Sequence, residues 1–510
     1  MDLAHLVSTV SDFNEVLPEG SLLAALDLGS NSFHLIIARV EHGEMRTIET
    51  LAEKVQLGAG LIDGQLAEDA IKRGLDCLSR FSQMMESMDI QRVRAVGTHA
   101  LRIAKNRRHL TVPGSKILGV PVDVIYGREE ARLVYLGVAH SLADDAQSRL
   151  VVDIGGGSTE FIIGEKFEPK YLESLEMGCV SYSNKFFPDG EISASAYQSA
   201  RDKALLEIFQ IRRQFSGDNW KECVGSSGTL QAIEELLVQQ GWSDAGITSA
   251  GLAQLEDKLL SFEDMDSIAL EGLAESRRNV IVAGVAITSA LFYALQIEHM
   301  RTSKGALREG VLYDLLGRLT HEDVRERTVN ALMQRYSVDG DIAASVERRA
   351  RVFFNATRNC WKLNHSDWFL LRWVANSHEI GMAISHKHYN RHSSYLLRNA
   401  DLPGFAQDEQ EDLALLARGH RGKLNQNLLS ETAEQDRPRF VHLLSIIRLA
   451  ALFRYVEKLE QLPEFTISAS EKSLVLGFGE TWLAEHPLTV SELAAEQHQL
   501  QKIGMSLEIS

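Results

Sequence analysis

Two short stretches of the sequence combine an aspartate with a turn rich in glycine and serine. They read DLGSNS at residues 27–32 and DIGGGST at residues 153–159, and each stands between two apolar, strand-like runs. Backbone N–H groups in a glycine-rich turn can converge on an anion, and an aspartate that ends the preceding strand can hold a metal ion or water beside it. One such turn would indicate only a hairpin. Two matching turns predict a site that holds a phosphate chain from both sides of a cleft.

A third candidate group is the pair Glu129 and Glu130 in the segment GREEAR. A carboxylate near a metal ion could aim a water molecule at a phosphoryl group. The helix dipole also favours a glutamate in the first turn of a helix, and from the residues alone this structural explanation is preferred. Asp153 is the stronger candidate, because an aspartate that ends a buried strand rarely serves packing.

The elements around the two turns are repeated as well. In each half a strand, a turn and a strand lead to a third strand, a helix and a further strand. Each half then closes with a strand, a glycine-containing turn and a helix, in VIYGREEARLVYLGV and in RTSKGALREGVLYDLL. The repetition predicts two similar α/β domains in tandem with a cleft between them. After about Gly317 long helical patterns dominate, and a β-containing segment begins at about Phe465.

Several motifs together resemble those of known proteins. The turns at Asp27 and Asp153, with GSSGT from Gly225, resemble the nucleotide-site turns of the actin-like, acetate-kinase-like and Hsp70-like ATPase superfamily. More narrowly, the chain is similar to the exopolyphosphatase and guanosine pentaphosphate phosphohydrolase (Ppx/GppA) family, in the motifs DLGSNSFHLIIARV, GTHALR, GREEARLVYLGV, DIGGGSTEFIIGE, MGCVS, GALREGVLYD and DLPGF. Within that family, GTHALR and the uninterrupted GGGSTE look closer to long-chain exopolyphosphatases.

The resemblance implies an α/β fold of two tandem actin-like (ribonuclease H-like) domains, an all-α HD-like domain and a small β-containing C-terminal domain. The implied division is an N-terminal extension at 1–20, domain I at 21–137, domain II at 138–316, domain III at 317–464 and domain IV at 465–510. In domain III, Glu379 follows His378 where an HD pair would stand, which puts a second metal site in doubt. The dense histidines His386, His388 and His392 are expected to be solvated or helix-capping.

The resemblance also assigns roles to residues. Glu130 matches the general base that orients the attacking water, and Asp153 and Glu160 match carboxylates that hold Mg²⁺ and help to position that water. The implied phosphate contacts are Asn31, Ser32, Arg102, Gly156, Gly157 and Ser158, completed by Ser226, Ser227 and Gly228 of the third turn. A monovalent cation such as K⁺ is a further cofactor candidate, and a homodimer is expected.

Composition limits the partners and the compartment. The net charge of −17 argues against a general nucleic-acid-binding surface. The four cysteines lack metal-like spacing, the N-terminus lacks the features of a secretory signal, and the longest apolar run is too short for a membrane span. We therefore expect a cytoplasmic protein without a transmembrane segment; peripheral membrane association stays open.

Charge is nevertheless segregated along the chain. Residues 345–458 contain 17 Lys/Arg against 12 Asp/Glu. Solvated basic faces are the simpler explanation. The hypothesis tied to function is that this region, including Arg418, His420, Arg421 and Lys423, holds the distal part of a long polyphosphate and makes its degradation processive.

Three functions are therefore weighed. The leading one is hydrolysis of the terminal phosphoanhydride of inorganic polyphosphate, with guanosine pentaphosphate (pppGpp) as the alternative or second substrate. An ATP-using kinase is compatible with the superfamily turns, but GREEAR and the N-terminal motifs favour a hydrolase. A non-catalytic phosphate sensor is disfavoured because Glu130, Asp153 and Glu160 are all present.

Overall fold

The computed structural model describes residues 18–41, 44–142, 147–319, 323–424, 426–430, 432–453 and 465–510. These residues form two compact units, one ending at residue 319 and one beginning at residue 323. Most of the predicted N-terminal extension, residues 1–17, lies outside the described residues.

The first unit begins with an α/β domain built on a five-stranded sheet. Its strands are β1 (Leu22–Leu28), β2 (Ser32–Glu41), β3 (Glu44–Lys54), β6 (Arg92–Gly97) and β7 (Val122–Val124), with a small hairpin of β4 (Leu61–Ile62) and β5 (Gln65–Leu66). Its helices are α1 (Glu68–Glu86), α2 (His99–Ile103) and α3 (Arg108–Leu118). The strand order is β3-β2-β1-β6-β7; β1, β2 and β3 are antiparallel, whereas β6 and β7 join in parallel.

A second α/β domain repeats this plan. Its strands are β8 (Ser148–Ile154), β9 (Thr159–Glu165), β10 (Glu168–Leu175), β11 (Glu222–Ser226), β12 (Ile247–Thr248) and β13 (His299–Thr302), in the order β10-β9-β8-β11-β13-β12. Its helices are α5 (Cys179–Phe186), α6 (Ala194–Phe215), α7 (Gly228–Gln239), α8 (Ser249–Leu259) and α9 (Arg278–Leu295). The predicted duplication is confirmed, because β1–β2 and β8–β9 are equivalent hairpins whose first strands continue in parallel to β6 and β11.

Two helices connect the halves. Helix α4 (Gly127–Ser141) ends the first repeat and helix α10 (Leu307–Leu319) ends the second. They share one hydrophobic core with apolar residues of both sheets, such as Ala25, Ile36 and Ile162. The two helices cross at glycines: a methyl group on Gly310 would overlap the carbonyl oxygen of Leu133, and one on Gly137 would overlap that of Ala306. The crossing therefore requires residues without a Cβ.

Helix α9 contains the longest apolar run. The segment Glu275–Leu295 is long and apolar enough to cross a membrane by length and composition, yet 83% of its apolar window is buried within the protein. It packs in the core of the second α/β domain, as the sequence predicts for a buried helix. All four cysteines have free thiols, and three of them, Cys77, Cys179 and Cys223, are buried.

The second unit is mainly helical. Its helices are α11 (Val324–Arg335), α12 (Gly340–Trp361), α13 (His365–Ser377), α14 (Tyr389–Asn399), α15 (Gln407–Gly419), α16 (Arg437–Leu452), α17 (Glu480–Glu485) and α18 (Pro487–Gln501). Strands β14 (Thr466–Ala469), β15 (Ser473–Gly477) and β16 (Ser506–Ile509) form a small sheet. Leu474, Leu476 and Leu507 of this sheet belong to the same hydrophobic core as the helices, so the predicted domain IV shares its core with domain III.

Candidate active site

The first two turns face each other across the cleft of the first unit. The turn at residues 28–32 joins β1 to β2, and the turn at residues 154–159 joins β8 to β9. A Cβ on Gly156 would lie 2.9 Å from the Cβ of Ser30 and 3.6 Å from the backbone nitrogen of Asn31. Glycine is therefore needed where the two turns approach. Both line one pocket of about 250 Å³.

The third turn joins β11 to α7 and completes the pocket. Ser227 precedes the first residue of α7 with a φ of 95°, in the left-handed region that is costly for any residue with a Cβ. Its side chain accepts a hydrogen bond from the backbone N–H of Leu230 at 3.4 Å. The start of α7 therefore lies at the pocket, and helix N-termini bind anions through backbone N–H groups. Ser227, Gly228 and Thr229 line the pocket, while Ser226 is buried and donates to the carbonyl of Gly305 at 3.2 Å.

Strand register places the acidic side chains. Asp153 lies opposite Glu160 on the β8–β9 hairpin, so both side chains leave the same face of the sheet. Asp27 lies at the equivalent position of the β1–β2 hairpin, opposite His34. The duplicated hairpins therefore bring Asp27 and Asp153 to the cleft from its two sides, where both line the pocket.

Four carboxylates influence one another in this cleft. Burial, followed by repulsion from Glu130 and Asp153, raises the pKa of Asp27 well above its ordinary value. Burial, with repulsion from Glu130 as a smaller cause, raises the pKa of Asp153 to about 7. Burial, Glu130 and Asp153 likewise raise the pKa of Glu160. Such a concentration of negative charge favours a bound cation, because neutralising it relieves both repulsion and desolvation.

The residues fit a hydrated Mg²⁺ better than a closed metal cage. Asp27 Oδ1 is buried and has no hydrogen-bond partner, which leaves an oxygen for a cation or its water. Across the described residues, no three His, Cys, Asp or Glu side chains are close enough to form a complete ligand set. Mg²⁺ commonly binds through one or two carboxylates, keeps several waters and takes its remaining ligands from substrate phosphates. The resemblance assigns such a role to Asp153, which lines the pocket, and to Glu160, which lies opposite it on the hairpin.

Glu130 projects into the pocket from the first turn of α4. Arg102 Nη1 donates to Glu130 Oε2 at 2.8 Å and to the carbonyl oxygen of Ile125 at 3.0 Å. Both side chains are largely buried, so the ion pair fixes the direction of the carboxylate. The guanidinium thus binds the candidate base in this structure, whereas the resemblance implies a phosphate contact for Arg102.

Most of the sequence-predicted residues line the pocket. Glu130, Asp153, Asn31, Ser32, Gly156, Gly157, Ser158, Ser227 and Gly228 are in its wall. Arg102, Glu160 and Ser226 lie directly behind that wall, where Arg102 contacts Glu130 and the Glu160 carboxylate accepts a hydrogen bond from Ser174 at 2.8 Å. The roles assigned to these residues stay predictions.

Other pocket residues went unnoticed in the sequence. His34, His99, Arg277, Lys304 and Arg308 all line the pocket, and the two arginines and the lysine supply its positive charge. Lys304 and Arg308 belong to RTSKGALREG, whose likeness to the segment that holds Glu130 was the available signal. Arg277 lies beside Gly228 only in three dimensions, where its guanidinium occupies the space of a Cβ, so no local pattern could reveal it.

The fold and the pocket define a class of protein with two duplicated actin-like α/β domains and, between them, a pocket lined by carboxylates and basic side chains. Comparison with known proteins narrows the class. The Ppx/GppA phosphatase family matches residues 36–319, and domain III of the Ppx/GppA phosphatases matches residues 324–497. The chain belongs to the Ppx/GppA phosphatase family and is a hydrolase of that family.

Relatives align over nearly the whole chain. A protein of Pseudoalteromonas translucida named guanosine-5'-triphosphate,3'-diphosphate pyrophosphatase is 37% identical over 97% of this chain and 100% of its own. Proteins of the same name from Photobacterium profundum and Aeromonas hydrophila are 38% and 37% identical, over 96% and 95% of this chain and 98% and 97% of theirs.

Solved structures resemble the actin-like part. The Aquifex aeolicus member of the Ppx/GppA family superposes with a TM-score of 0.50 at 26% identity and covers 59% of this chain and 99% of its own. An exopolyphosphatase from Cytophaga hutchinsonii superposes with a TM-score of 0.53 at 24% identity, over 58% and 98% of the two chains, which supports the fold alone. The predicted fold class is thereby confirmed.

Proposed function

We propose that this protein hydrolyses the terminal 5'-phosphoanhydride of pppGpp, releasing orthophosphate and guanosine 5'-diphosphate 3'-diphosphate (ppGpp). The observation that carries this proposal is the end-to-end similarity, at 36 to 38% identity, to proteins named guanosine-5'-triphosphate,3'-diphosphate pyrophosphatase. This reverses the order of the sequence-based expectation, which put inorganic polyphosphate first because of GTHALR and GGGSTE. These two short motifs are outweighed by similarity over more than nine-tenths of the chain.

The proposed reaction is an in-line displacement at the terminal phosphorus. The water oxygen forms a bond to that phosphorus, and the bond from phosphorus to the bridging oxygen breaks. The electron pair of that bond stays on the bridging oxygen, which becomes a terminal oxygen of the 5'-diphosphate of ppGpp. Glu130 accepts a proton from the attacking water. Arg102 serves as its orienting partner, since the 2.8 Å ion pair fixes the direction of the carboxylate.

The three turns hold the transferred group in this scheme. Backbone N–H groups of Asn31, Gly156 and Gly157 are candidates to donate to phosphate oxygens, and the start of α7 adds further donors. Such donors are fixed before the substrate arrives, so their alignment costs little reorganisation in the transition state. Asp153 and Glu160 would hold Mg²⁺, with Asp27 Oδ1 as a neighbouring oxygen; the bound ion would offset charge on the phosphate oxygens.

Polyphosphate is the competing substrate, because its terminal phosphoanhydride has the same chemistry. We therefore test the proposal by measuring orthophosphate release from pppGpp, long-chain polyphosphate and ATP with excess Mg²⁺, and by resolving nucleotide products on an anion-exchange column. The proposal predicts one orthophosphate and one ppGpp per pppGpp consumed, with the highest kcat/KM on pppGpp. A preference for polyphosphate would reinstate the sequence-based expectation, and release from ATP alone would refute both.

A further inference from the structure

Six charged side chains form a cluster behind helix α4, which we call the Asp314 cluster. It consists of Arg94 on β6, Asp123 on β7, Glu129 and Arg132 on α4, and Asp314 and Arg318 on α10. Asp314 accepts from Arg94, from Arg132 and from Arg318, the last at 2.8 Å. Arg132 also binds Glu129 with two hydrogen bonds of 2.8 Å, and Arg94 Nε lies 3.7 Å from Asp123.

The centre of the cluster is buried, and its three acidic and three basic side chains balance in charge. The Asp314 side chain is 2% exposed, and those of Glu129, Arg94 and Arg132 are 3 to 8% exposed. Burial alone would raise the pKa of Asp314, but the charges of Arg132, Arg94 and Arg318 outweigh burial and hold it well below its ordinary value. Asp314 is therefore a permanent negative charge between three permanent positive ones. Buried groups paired in this way have little freedom to rearrange.

Each element that the cluster joins also carries part of the pocket. Strand β6 carries Arg94 and ends three residues later at Gly97. The next residues, Thr98 and His99, line the pocket. Helix α10 begins with Leu307 and Arg308, which line it too. Helix α4 carries Glu130 in its first turn. Asp314 of α10 thus connects its own helix to β6, which leads to Arg102, and to α4, which carries Glu130.

The helical spacing separates the two faces of α4. Residues 129 and 132 are three apart and share one face, on which they bind each other. Glu130 is two residues from Arg132, so its side chain leaves the helix on a different face, the one that lines the pocket. A shift of the first turn of α4 would therefore move Glu130 relative to the turns. The bonds of Arg132 to both Glu129 and Asp314 oppose that shift.

We propose that Asp314 is a positioning residue for the reaction: by binding Arg132 and Arg94 together it holds the first turn of α4, and with it Glu130, in register with β6 and the phosphate turns. The inference rests on the proposed role of Glu130. It does not depend on which phosphoanhydride substrate is preferred.

The test is a double-mutant cycle between Asp314→Asn and Glu130→Gln in the full-length chain, with each variant assayed on whichever substrate the wild-type protein hydrolyses best. Asp314→Asn keeps the shape of the side chain and removes its charge. In the wild-type background we expect kcat to fall roughly 10- to 100-fold, the size associated with misplacement of a catalytic group by about 1 Å, while KM changes less than about threefold. In the Glu130→Gln background, with single-turnover measurement of the residual rate, the same change should cost less than about twofold, because residues that act as a unit are not additive.

A matched control is Glu222→Gln. Glu222 also binds two arginines, Arg149 at 2.9 Å and Arg301, but these ion pairs join β8, β11 and β13 and include no residue of α4. It should leave kcat within about twofold of wild type. If Asp314→Asn does not fold, as judged by near-ultraviolet circular dichroism, Arg132→Gln replaces it, since Arg94 and Arg318 then still bind Asp314.

Three results would overturn the inference. They are an equal loss of kcat from Asp314→Asn in both backgrounds, a comparable loss from Glu222→Gln, and near wild-type turnover in Glu130→Gln. The last would also remove Glu130 from the mechanism, whereas a changed substrate preference of the wild-type protein would refute only the proposed function.

Discussion

Glu129 and Glu130 are chemically identical neighbours, and only the direction of the side chain separates their roles. Glu129 is bound by Arg132 inside the protein, and Glu130 is bound by Arg102 at the pocket. The sequence alone could not choose between them, because both fit the first turn of a helix. The family resemblance selected Glu130, and the side-chain directions agree with that choice.

Glu130→Gln is expected to lower kcat by about 10²- to 10⁴-fold while KM changes little, because a glutamine cannot accept the proton of the attacking water but fills the same space. Steady-state kinetics with the phosphate substrate checks this. Glu173→Gln is the matched control, since Glu173 pairs with Arg128 of the same helix turn at 2.7 Å outside the pocket. A kcat within tenfold of wild type for Glu130→Gln would exclude Glu130 as the base.

Asp153→Asn is expected to raise the Mg²⁺ concentration needed for half-maximal activity at least about tenfold and to lower the maximal rate, since a metal ligand loses its charge. A Mg²⁺ titration of activity, in buffer treated to remove other metals, measures both quantities. Asp69→Asn, which changes a carboxylate in an exposed ion pair with Arg73, serves as control. Superimposable titrations of Asp153→Asn and wild type would contradict the metal assignment.

His99 supplies a pH prediction. Burial, followed by the charge of Arg102, lowers the pKa of His99 to about 4. In the unfolded chain the pKa of a histidine is about 6.5. Between these values the unfolded chain takes up a proton that the folded protein does not, so stability falls as the pH drops from about 6.5 towards 4 and returns as the pH rises.

His99→Gln should therefore lose less stability than wild type between pH 6.5 and 4.5. Urea unfolding at several pH values measures the difference, and His109→Gln, at an exposed histidine of α3, controls for the loss of an imidazole. An unchanged pH dependence in His99→Gln would mean that His99 is protonated in the folded protein.

At the scale of elements, repetition was the strongest signal in the sequence. The two turns that contain aspartate and glycine, with their flanking apolar runs, were enough to predict duplicated hairpins, because strand, turn and strand are adjacent in the sequence, from Leu22 to Glu41 and from Ser148 to Glu165. The crossing of α4 and α10 could not be predicted in the same way. It joins Gly137 to the segment around Gly310, more than 160 positions later, and only three-dimensional packing shows that a Cβ cannot fit there.

Gly310→Ala tests that crossing. Alanine should gain about 1 kcal/mol of helix propensity over glycine, but the overlap with the Leu133 carbonyl should cost about 3 kcal/mol or more, since backbone must move to relieve it. The cost of the overlap exceeds the gain in helix propensity, so we expect a net loss of about 2 kcal/mol in the free energy of unfolding of the first unit. Gly217→Ala, where a Cβ would find its nearest neighbour at 3.8 Å, should be close to neutral. Equal stabilities of the two variants would show that the helices can separate at little cost.

At the scale of the whole molecule, some of the basic residues at 345–458 are bound inside the helical unit. Arg349 and Arg448 are buried, and Arg448 is bound to Glu496 and to two backbone carbonyls. Arg439 is bound to Asp367 and Asp412. His420, one of the residues expected to hold polyphosphate, is 1% exposed. Part of the positive charge therefore stabilises the helical unit internally, while other residues such as Arg421 and Lys423 are exposed. Counts along a sequence cannot separate the two kinds.

The specificity of the whole enzyme was the least predictable property. Both candidate substrates present a terminal phosphoanhydride to the same turns, so the motifs at Asp27, Asp153 and Glu130 describe the reaction without choosing the rest of the substrate. Only similarity along the full chain, including the helical unit, favoured pppGpp.

The most direct test of this account is a competition in which wild-type protein receives pppGpp and long-chain polyphosphate together, with Mg²⁺. The ratio of initial rates at equal concentrations of chain termini gives the ratio of the two kcat/KM values in one tube. We predict that ppGpp forms at least about tenfold faster than orthophosphate is released from polyphosphate. In Glu130→Gln both rates should fall together by about 10²- to 10⁴-fold. Preferential shortening of polyphosphate while pppGpp persists would contradict the account.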